Sequence, residues 1–261
     1  MAIARTSDRR KADQYKAPVL TEQLPSMRSH QSGLQGQARS AGAFYVLVVL
    51  TGTFSLGLAP ERLFVGDTPG ALAASIAAQD WLLRVSILAE ATCYLAFGCL
   101  ALALHALLRP VHRGAAAGMA MLVLISVPFG FSNLVALIEI HRIVESGAAL
   151  ASAEAVADAY ARYRAGHFLQ SAPWGLWLLP FGYLALRSGF MPRLLGFGLI
   201  LAGVGYVAHF AARLLVDGYR ESIWPDILGA PRIAEILMAF WLLVFGARRS
   251  LWRARPAADQ S

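Results

Sequence analysis

Six apolar stretches separated by polar connections constrain this chain more than any other feature of its sequence. Most of them reach the roughly 20 residues that a helix needs to cross about 30 Å of hydrocarbon. Charged residues make up only 15% of the 261 residues, whereas a soluble globular domain usually carries about 25%. This composition excludes a soluble globular enzyme, a disordered chain and a disulfide scaffold. The predicted fold is an all-α, six-helix transmembrane bundle with spans at residues 41–58, 81–108, 114–140, 167–186, 194–216 and 233–246.

Polar tails flank the predicted six-span domain, which covers residues 39–249. Residues 1–38 carry six basic residues but no long apolar run, so we expect a flexible basic cytoplasmic tail and not a signal peptide. Residues 250–261 are expected to form a cytoplasmic C-terminal tail. The formal net charge of +7 does not predict a nucleic-acid partner, because no basic stripe interleaved with aromatic residues lies on a folded segment.

The distribution of basic residues predicts the orientation in the membrane. With the N-terminus inside, the two tails and the connections after the second and fourth spans together carry 15 basic residues, and the opposite side carries five. Basic residues are enriched on the cytoplasmic side of membrane proteins. We therefore expect both termini in the cytoplasm and a multi-pass protein of the plasma membrane.

Two longer connections lie on the predicted outer side. Residues 59–80 contain a small-residue run at 70–79, and residues 142–166 contain another at 148–161. We expect each run to form a helix at the surface. In the second run and just after it, Glu154, Asp158 and Arg162 are spaced four residues apart, which predicts one solvated helix face.

Four short motifs occur in the order in which they occur in a known family. They are AGAFY at 41–45, the Leu83-Arg84 pair followed by Glu90, GYLALRSGFMPRLLG at 182–196 continued by LAGVGY at 201–206, and IAEI at 233–236. The chain therefore resembles, over about residues 39–249, the bacterial integral membrane family described as domain of unknown function 4386. The resemblance implies a six-span bundle in the bacterial inner membrane, and it implies no activity. It also singles out His209, which stands where the family often carries an acidic residue.

Ionisable residues within the predicted spans gather in the outer half of the bundle. Such residues are costly in hydrocarbon and are functional candidates for that reason. Glu90 lies nine residues inside Trp81, about 14 Å deep at 1.5 Å per residue. Arg84 points to a different face of the same helix, so Glu90 requires a partner from another helix or a proton. The candidate ligand-binding residues are Glu90, Asn133, His167, His209, Arg213 and Glu235.

A second arrangement uses His141, His167 and His209 as metal ligands, together with Glu139 or Glu235. Three imidazoles and a carboxylate suit zinc, with a bound water as the nucleophile. The chain has no local H-E-x-x-H motif, no G-x-S-x-G elbow and no phosphate-binding loop. The sequence therefore predicts no cofactor and no enzyme class.

Three hypotheses for the function stay open. The preferred one is the binding or transport of a small amphiphile or ion through an outward-facing polar pocket, in which Arg213 attracts an anionic headgroup and Glu90 or Glu235 serves as counter-charge or proton site. The second is a metal-dependent intramembrane enzyme that acts on lipid. The third is a structural or accessory membrane subunit whose charges only lock the bundle, for example through an Arg232–Glu235 pair. The expected partners are the lipid bilayer and a lipid or small amphiphile.

Overall fold

The computed structural model describes residues 33–219, 222–223, 227 and 229–247, and these residues form helices and their connections without any strand. The predicted all-α class is therefore confirmed for the described chain. The predicted C-terminal tail and residues 1–32 of the predicted N-terminal tail lie outside the described residues. The helices are α1 Gly33–Leu63, α2 Pro69–Ala78, α3 Asp80–Leu108, α4 Arg113–Glu145, α5 Ala153–Leu176, α6 Leu178–Ser188, α7 Arg193–Leu215 and α8 Ile233–Val244, the last preceded by a 3-10 turn at Ala230–Arg232.

Four of the described helices, α1, α3, α4 and α7, are long and apolar enough to cross a membrane. Their outer surfaces carry large apolar side chains such as Leu88, Phe129 and Leu201, which are 68%, 65% and 60% exposed. Exposed apolar surface of this extent is unfavourable in water and is accommodated by lipid tails. The chain is thus a helical bundle suited to a membrane. The predicted count of six spans and the orientation of the termini stay predictions.

The first helix begins earlier than predicted. Residues 33–38, assigned from sequence to the tail, form the first turns of α1. Ala38 is fully buried, and the Gln35 side-chain Nε2 donates to the Phe245 carbonyl oxygen at 3.1 Å. The start of α1 is therefore held against the end of α8.

The fourth predicted span differs most from expectation. Residues 153–176 form one continuous helix, α5, so the predicted surface helix at 148–161 is not a separate element. The helix is interrupted at Trp177, between Pro173 and Pro180, and continues as α6. Pro180 has no N–H to donate to the Leu176 carbonyl and crowds the preceding turn, which accounts for the interruption. Part of the expectation is confirmed, since the row Glu154, Asp158 and Arg162 is exposed.

The predicted run at 70–79 forms helix α2, as expected. Thr68 caps it, because its Oγ1 accepts a hydrogen bond from the Ala71 amide at 3.2 Å. Leu72 and Ile76 on one face of α2 are buried with Val156 of α5 in a common apolar cluster. The helix therefore packs against the bundle. We call this end of the molecule, where α2 and the α4–α5 connection lie, the α2 end.

The apolar interior consists of two clusters with a polar layer between them. The cluster at the α2 end includes Leu83 and Leu137, and the cluster at the opposite end includes Phe97 and Trp177. Along α3, α4 and α5, buried polar residues lie between the members of the two clusters. These buried polar residues are Glu90, Ser126, Asn133 and Gln170.

Candidate functional site

Glu90 is the centre of the polar layer, and its side chain is fully buried. The Tyr94 hydroxyl donates to Glu90 Oε1 at 2.8 Å, and the Tyr163 hydroxyl donates to Oε2 at 2.6 Å. His167 Nε2 lies 3.0 Å from Oε1. The expectation that Glu90 needs a partner from another helix is therefore confirmed, because Tyr163 and His167 belong to α5.

Helical spacing brings these four groups together. Glu90 and Tyr94 are four residues apart on α3, and Tyr163 and His167 are four residues apart on α5, so each pair lies on one helix face. The Tyr94 ring fits against α4 because residue 130 is glycine, where a Cβ atom would lie 2.5 Å from the ring. The position of Tyr94, and so its hydrogen bond to Glu90, depends on the missing side chain at Gly130.

A second polar link extends this network to α4. Gln170 Oε1 lies 3.4 Å from the Tyr94 hydroxyl, and Gln170 Nε2 donates to the Ser126 carbonyl oxygen at 3.3 Å. Asn133, a predicted ligand-binding residue, packs its Oδ1 against Gly166 of α5. Asn133 therefore lies behind the network and is not part of the cavity wall described next.

A cavity of about 700 Å³ lies beside the Glu90 network. Residues of α1, α3, α5, α7 and α8 line it, and Tyr94, Tyr163 and His167 belong both to the network and to the cavity wall. Among the predicted ligand-binding residues, the structure brings His167, His209, Arg213 and Glu235 to this wall. Glu90 reaches the cavity only through His167 and the two tyrosines.

The cavity is elongated along α1. Its lining includes α1 residues from Tyr45 to Pro60, a distance of about 22 Å at 1.5 Å per residue. Towards the α2 end, Phe64, which follows α1, stacks on Tyr160 of α5 with ring centroids 4.0 Å apart. Towards the opposite end, Tyr45 packs against Trp177, with centroids 6.0 Å apart. The cavity thus runs along much of the bundle.

Part of the α1 wall is a π-helix, Thr53–Leu58. Pro60 lies two residues after its end and has no N–H for the Leu56 carbonyl, which accounts for a widened turn at this point. Gly57 lines the cavity within this segment, and a Cβ atom there would meet nothing within 4 Å. The wall therefore has open space beside it at Gly57.

Three arginines give one part of the cavity a positive charge. Arg213 lies over the Phe168 ring at 4.5 Å, Arg232 over the Tyr206 ring at 5.3 Å and Arg164 over the Tyr160 ring at 5.7 Å from guanidinium carbon to centroid. An aromatic face attracts a guanidinium and helps to position it. Glu235 is the one carboxylate among the described residues that line the cavity.

The structure gives other partners to residues that the structural hypothesis pairs with one another. In the described chain, Arg232 and Glu235 do not approach within 4 Å, and Arg232 Nε donates to the Gly229 carbonyl oxygen at 3.0 Å. Glu139 is paired with Arg162 of α5.

The structure does not bring the three candidate metal ligands together. His141 Nδ1 lies 3.2 Å from Asp80 Oδ1, His167 lies against Glu90, and His209 Nδ1 lies 2.9 Å from the Tyr219 hydroxyl. Within residues 33–219 and the later described positions, no three His, Cys, Asp or Glu side chains form a group that could hold a metal ion. The geometry gives the metal hypothesis no support.

Sequence reasoning missed several residues of the site. Tyr163 and Arg164 were assigned to a connection, because the charged first half of α5 does not look like a span. The signal that could have found Tyr163 is its spacing of four residues from His167, which matches the spacing of Glu90 and Tyr94. The aromatic residues of the cavity wall carry no comparable signal, because aromatic residues are common throughout the apolar segments.

Comparisons with known proteins place the chain in a family. In a search of curated proteins it is 33% identical over 76 residues to an uncharacterized protein of Archaeoglobus fulgidus, a stretch that covers 29% of this chain and 43% of that protein. The chain thus matches less than half the length of this relative. No solved structure matches the chain. The family model described as Domain of unknown function (DUF4386) matches residues 40–246, so the chain belongs to the DUF4386 family, as its motifs predicted.

Proposed function

We propose that this protein is a multi-pass membrane protein that binds or transports a small amphiphile with an anionic headgroup in the cavity beside α1. The observation that carries the proposal is the meeting of Arg164, Arg213 and Arg232 in the wall of one elongated cavity. Guanidinium groups bind carboxylates and phosphates through paired, charge-assisted hydrogen bonds. A cavity with three of them and one carboxylate favours an anionic ligand.

The shape of the cavity favours a ligand with a chain. Val48, Val49 and Leu56 supply apolar wall along α1, and Phe97 and Trp174 supply aromatic wall opposite. Ligand sites are typically apolar concavities with a few placed polar groups. A length of about 22 Å along α1 accommodates a single alkyl chain below a headgroup held by the arginines.

The orientation that the basic residues predict favours a cavity that opens to the outer side of the membrane. The basic residues favour cytoplasmic termini by 15 to five, which places the α2 end, with Arg164 and Arg213, on the outer side. We propose six crossings, in which α5 with α6 forms the fourth and the short α8 the sixth. Membership of a family that is predicted to be bacterial favours the inner membrane.

A binding measurement with three probes tests the proposal. The protein is purified in a neutral maltoside detergent, and decyl phosphate, inorganic phosphate and added decyl maltoside are titrated in turn. We expect decyl phosphate alone to bind tightly and raise the unfolding temperature. Arg213→Gln should weaken its binding by about tenfold or more, since a charge-assisted hydrogen bond contributes about 1.5–3 kcal/mol. Equal binding of inorganic phosphate would indicate a soluble anion, and equal effects of all probes would contradict the proposal.

A matched pair of glycine variants tests the chain-binding part. Gly57→Leu fills the open space beside the π-helix, whereas Gly118→Leu fills open space on α4, where the residue does not line the cavity. We expect Gly57→Leu to weaken binding of decyl phosphate more than that of a shorter alkyl phosphate. Gly118→Leu should leave both unchanged. Equal behaviour of the two variants would mean that the chain does not lie along α1.

The accessory-subunit hypothesis is supported at Glu90 alone. Its carboxylate accepts hydrogen bonds from two tyrosines of the bundle, as expected for a structural network. A purely structural role does not account for the cavity beside it. We therefore keep binding or transport as the proposed function.

A further inference from the structure

His167 connects two environments that are otherwise separate. Its Nε2 lies 3.0 Å from the fully buried Glu90 carboxylate, and the ring also lines the cavity. The side chain retains 18% exposure, against 0% for Glu90. A change of charge at this imidazole therefore alters the electrostatic energy of the buried Glu90 carboxylate and of any ligand in the cavity.

The hydrogen bonds around Glu90 determine where a proton can go. Glu90 accepts hydrogen bonds from Tyr94 and Tyr163, and His167 Nε2 lies 3.0 Å from Oε1 without the geometry of a hydrogen bond. A neutral imidazole carries one acceptor nitrogen. A proton taken from water there converts the imidazole to imidazolium, which forms an ion pair with Glu90 without breaking either tyrosine hydrogen bond.

Two opposing charges act on that proton. Beside Glu90 the imidazolium forms a neutral ion pair, which suits a buried site better than a lone carboxylate. The arginines of the cavity wall repel an added positive charge. The titratable or charged described groups around the pair and along the cavity come from five helices, and α4 contributes the neutral Ser126 and Asn133. These groups are Tyr45 from α1, Cys93 and Tyr94 from α3, Tyr160, Tyr163 and Arg164 from α5, Tyr206, His209 and Arg213 from α7, and Arg232 and Glu235 from the α8 region.

We propose that the His167–Glu90 pair is a proton-binding site coupled to the cavity, so that an anionic ligand binds together with one proton. The inference rests on the proposed function and adds the proton as second ligand. An anion among the arginines offsets their repulsion and favours the imidazolium. Coupling between two ligands is reciprocal, so protonation strengthens anion binding by the same factor. Intramembrane carboxylates and histidines commonly serve such proton-linked roles.

Calorimetry with a ligand that does not titrate tests the coupling. Decanesulfonate is suitable because its own charge is constant across the histidine range of about pH 5 to 8. Titrations at one pH in two buffers of different ionisation enthalpy give the number of protons taken up. We expect uptake approaching one proton per ligand, and an affinity that rises as pH falls, by as much as tenfold per pH unit within the window.

Two histidine variants assign the proton to a residue. His167→Gln should abolish both the uptake and the pH dependence, while decanesulfonate still binds. His141→Gln is the control, since His141 contacts Asp80 and does not line the cavity. It should retain the uptake. Retention of the uptake in His167→Gln would overturn the assignment.

The wild-type protein alone can also overturn the inference, whatever the variants do to folding. Binding of decanesulfonate without proton uptake would contradict the coupling and leave the proposed function intact. Failure of both decanesulfonate and decyl phosphate to bind would contradict the proposed function and the coupling together.

Discussion

Glu90 and Glu235 are both carboxylates within apolar helices, yet their surroundings differ. Glu90 accepts two hydrogen bonds, from Tyr94 at 2.8 Å and Tyr163 at 2.6 Å, and His167 Nε2 lies 3.0 Å from it. Glu235 lines the cavity and has a hydrogen bond from the Tyr45 hydroxyl at 3.4 Å. The first carboxylate is enclosed by the bundle, and the second faces the space where the proposed ligand would lie. The comparison separates a residue that holds helices together from one that would contact the proposed ligand.

The backbone explains part of the difference. Glu90 is in the middle of α3, where facing residues of α5 reach it from the side. Glu235 is in the first turn of α8, where unpaired amides and the helix dipole favour a negative charge. Side-chain donors therefore matter less for the position of Glu235 than for that of Glu90.

Removal of the Glu90 carboxylate should have the largest effect on stability. Glu90→Ala removes the acceptor of the buried Tyr163 hydroxyl and the nearer acceptor of Tyr94 and leaves a cavity. We expect a loss of about 3–5 kcal/mol, because each unsatisfied buried group costs about 1–3 kcal/mol and the cavity adds to it. Unfolding in detergent, followed by temperature or denaturant, measures it. Glu139→Ala is the control, because its exposed pair with Arg162 contributes at most about 1 kcal/mol. Equal effects of the two variants would remove the distinction between an enclosed and an exposed carboxylate.

A methyl group at residue 130 should disturb the network without touching its polar atoms. Gly130→Ala places a Cβ atom against the Tyr94 ring, and we expect a loss of about 1–3 kcal/mol from overpacking. The same change at Gly118, where a Cβ atom meets nothing within 4 Å, should be neutral or slightly stabilising. A neutral Gly130→Ala would show that Tyr94 does not depend on this close contact.

Removal of one tyrosine hydroxyl beside each carboxylate should lower the unfolding free energy more at Glu90 than at Glu235. Tyr163→Phe removes the 2.6 Å hydrogen bond to Glu90 and should cost about 1 kcal/mol. Tyr45→Phe removes the 3.4 Å bond to Glu235 and should cost clearly less. Both changes keep the aromatic ring, so the difference between their unfolding free energies reports the hydrogen bonds. A larger loss of unfolding free energy in Tyr45→Phe than in Tyr163→Phe would mean that Glu235, and not Glu90, is the carboxylate held more firmly by the bundle.

Neutralisation of Glu235 should have the smallest effect on stability and a visible effect on binding. Glu235→Gln keeps the size of the side chain, and we expect an unfolding free energy within about 1 kcal/mol of the wild type. Decyl phosphate should bind more tightly, because a negative charge facing the cavity has been removed. Weaker binding would mean that Glu235 contacts a positive part of the ligand.

Hydropathy and spacing predict much of this molecule. The apolar run at 81–108 corresponds to α3 almost to the residue, whereas α4 extends the run at 114–140 by one residue at its start and five at its end. The helical class is confirmed for the described residues. The charged half of α5 could not be assigned to the bundle, because its burial depends on α2 and α4 packing around Val156 and Ala159. Local composition there resembles a surface helix, and tertiary contacts determine the outcome.

The sequence predicts how deep each candidate residue lies along its helix, but not which side of the helix faces the cavity. Depth along each span grouped His167, His209, Arg213 and Glu235, and these four residues line one cavity. The rotation of each helix follows from packing, as at Gly130, and hydropathy does not specify it. For this reason Asn133 was assigned to the cavity but lies behind it, and His141 was assigned to a metal group but contacts Asp80.

The most direct test of the proposed function is native mass spectrometry of the full chain purified from membranes in a neutral detergent, with metal analysis of the same sample. We predict an anionic amphiphile bound in a one-to-one ratio and lost from the Arg213→Gln variant, while Arg109→Gln, which changes an arginine outside the cavity, retains it. A bare chain, a neutral lipid in both variants, or a metal ion in fixed ratio would contradict the proposed function.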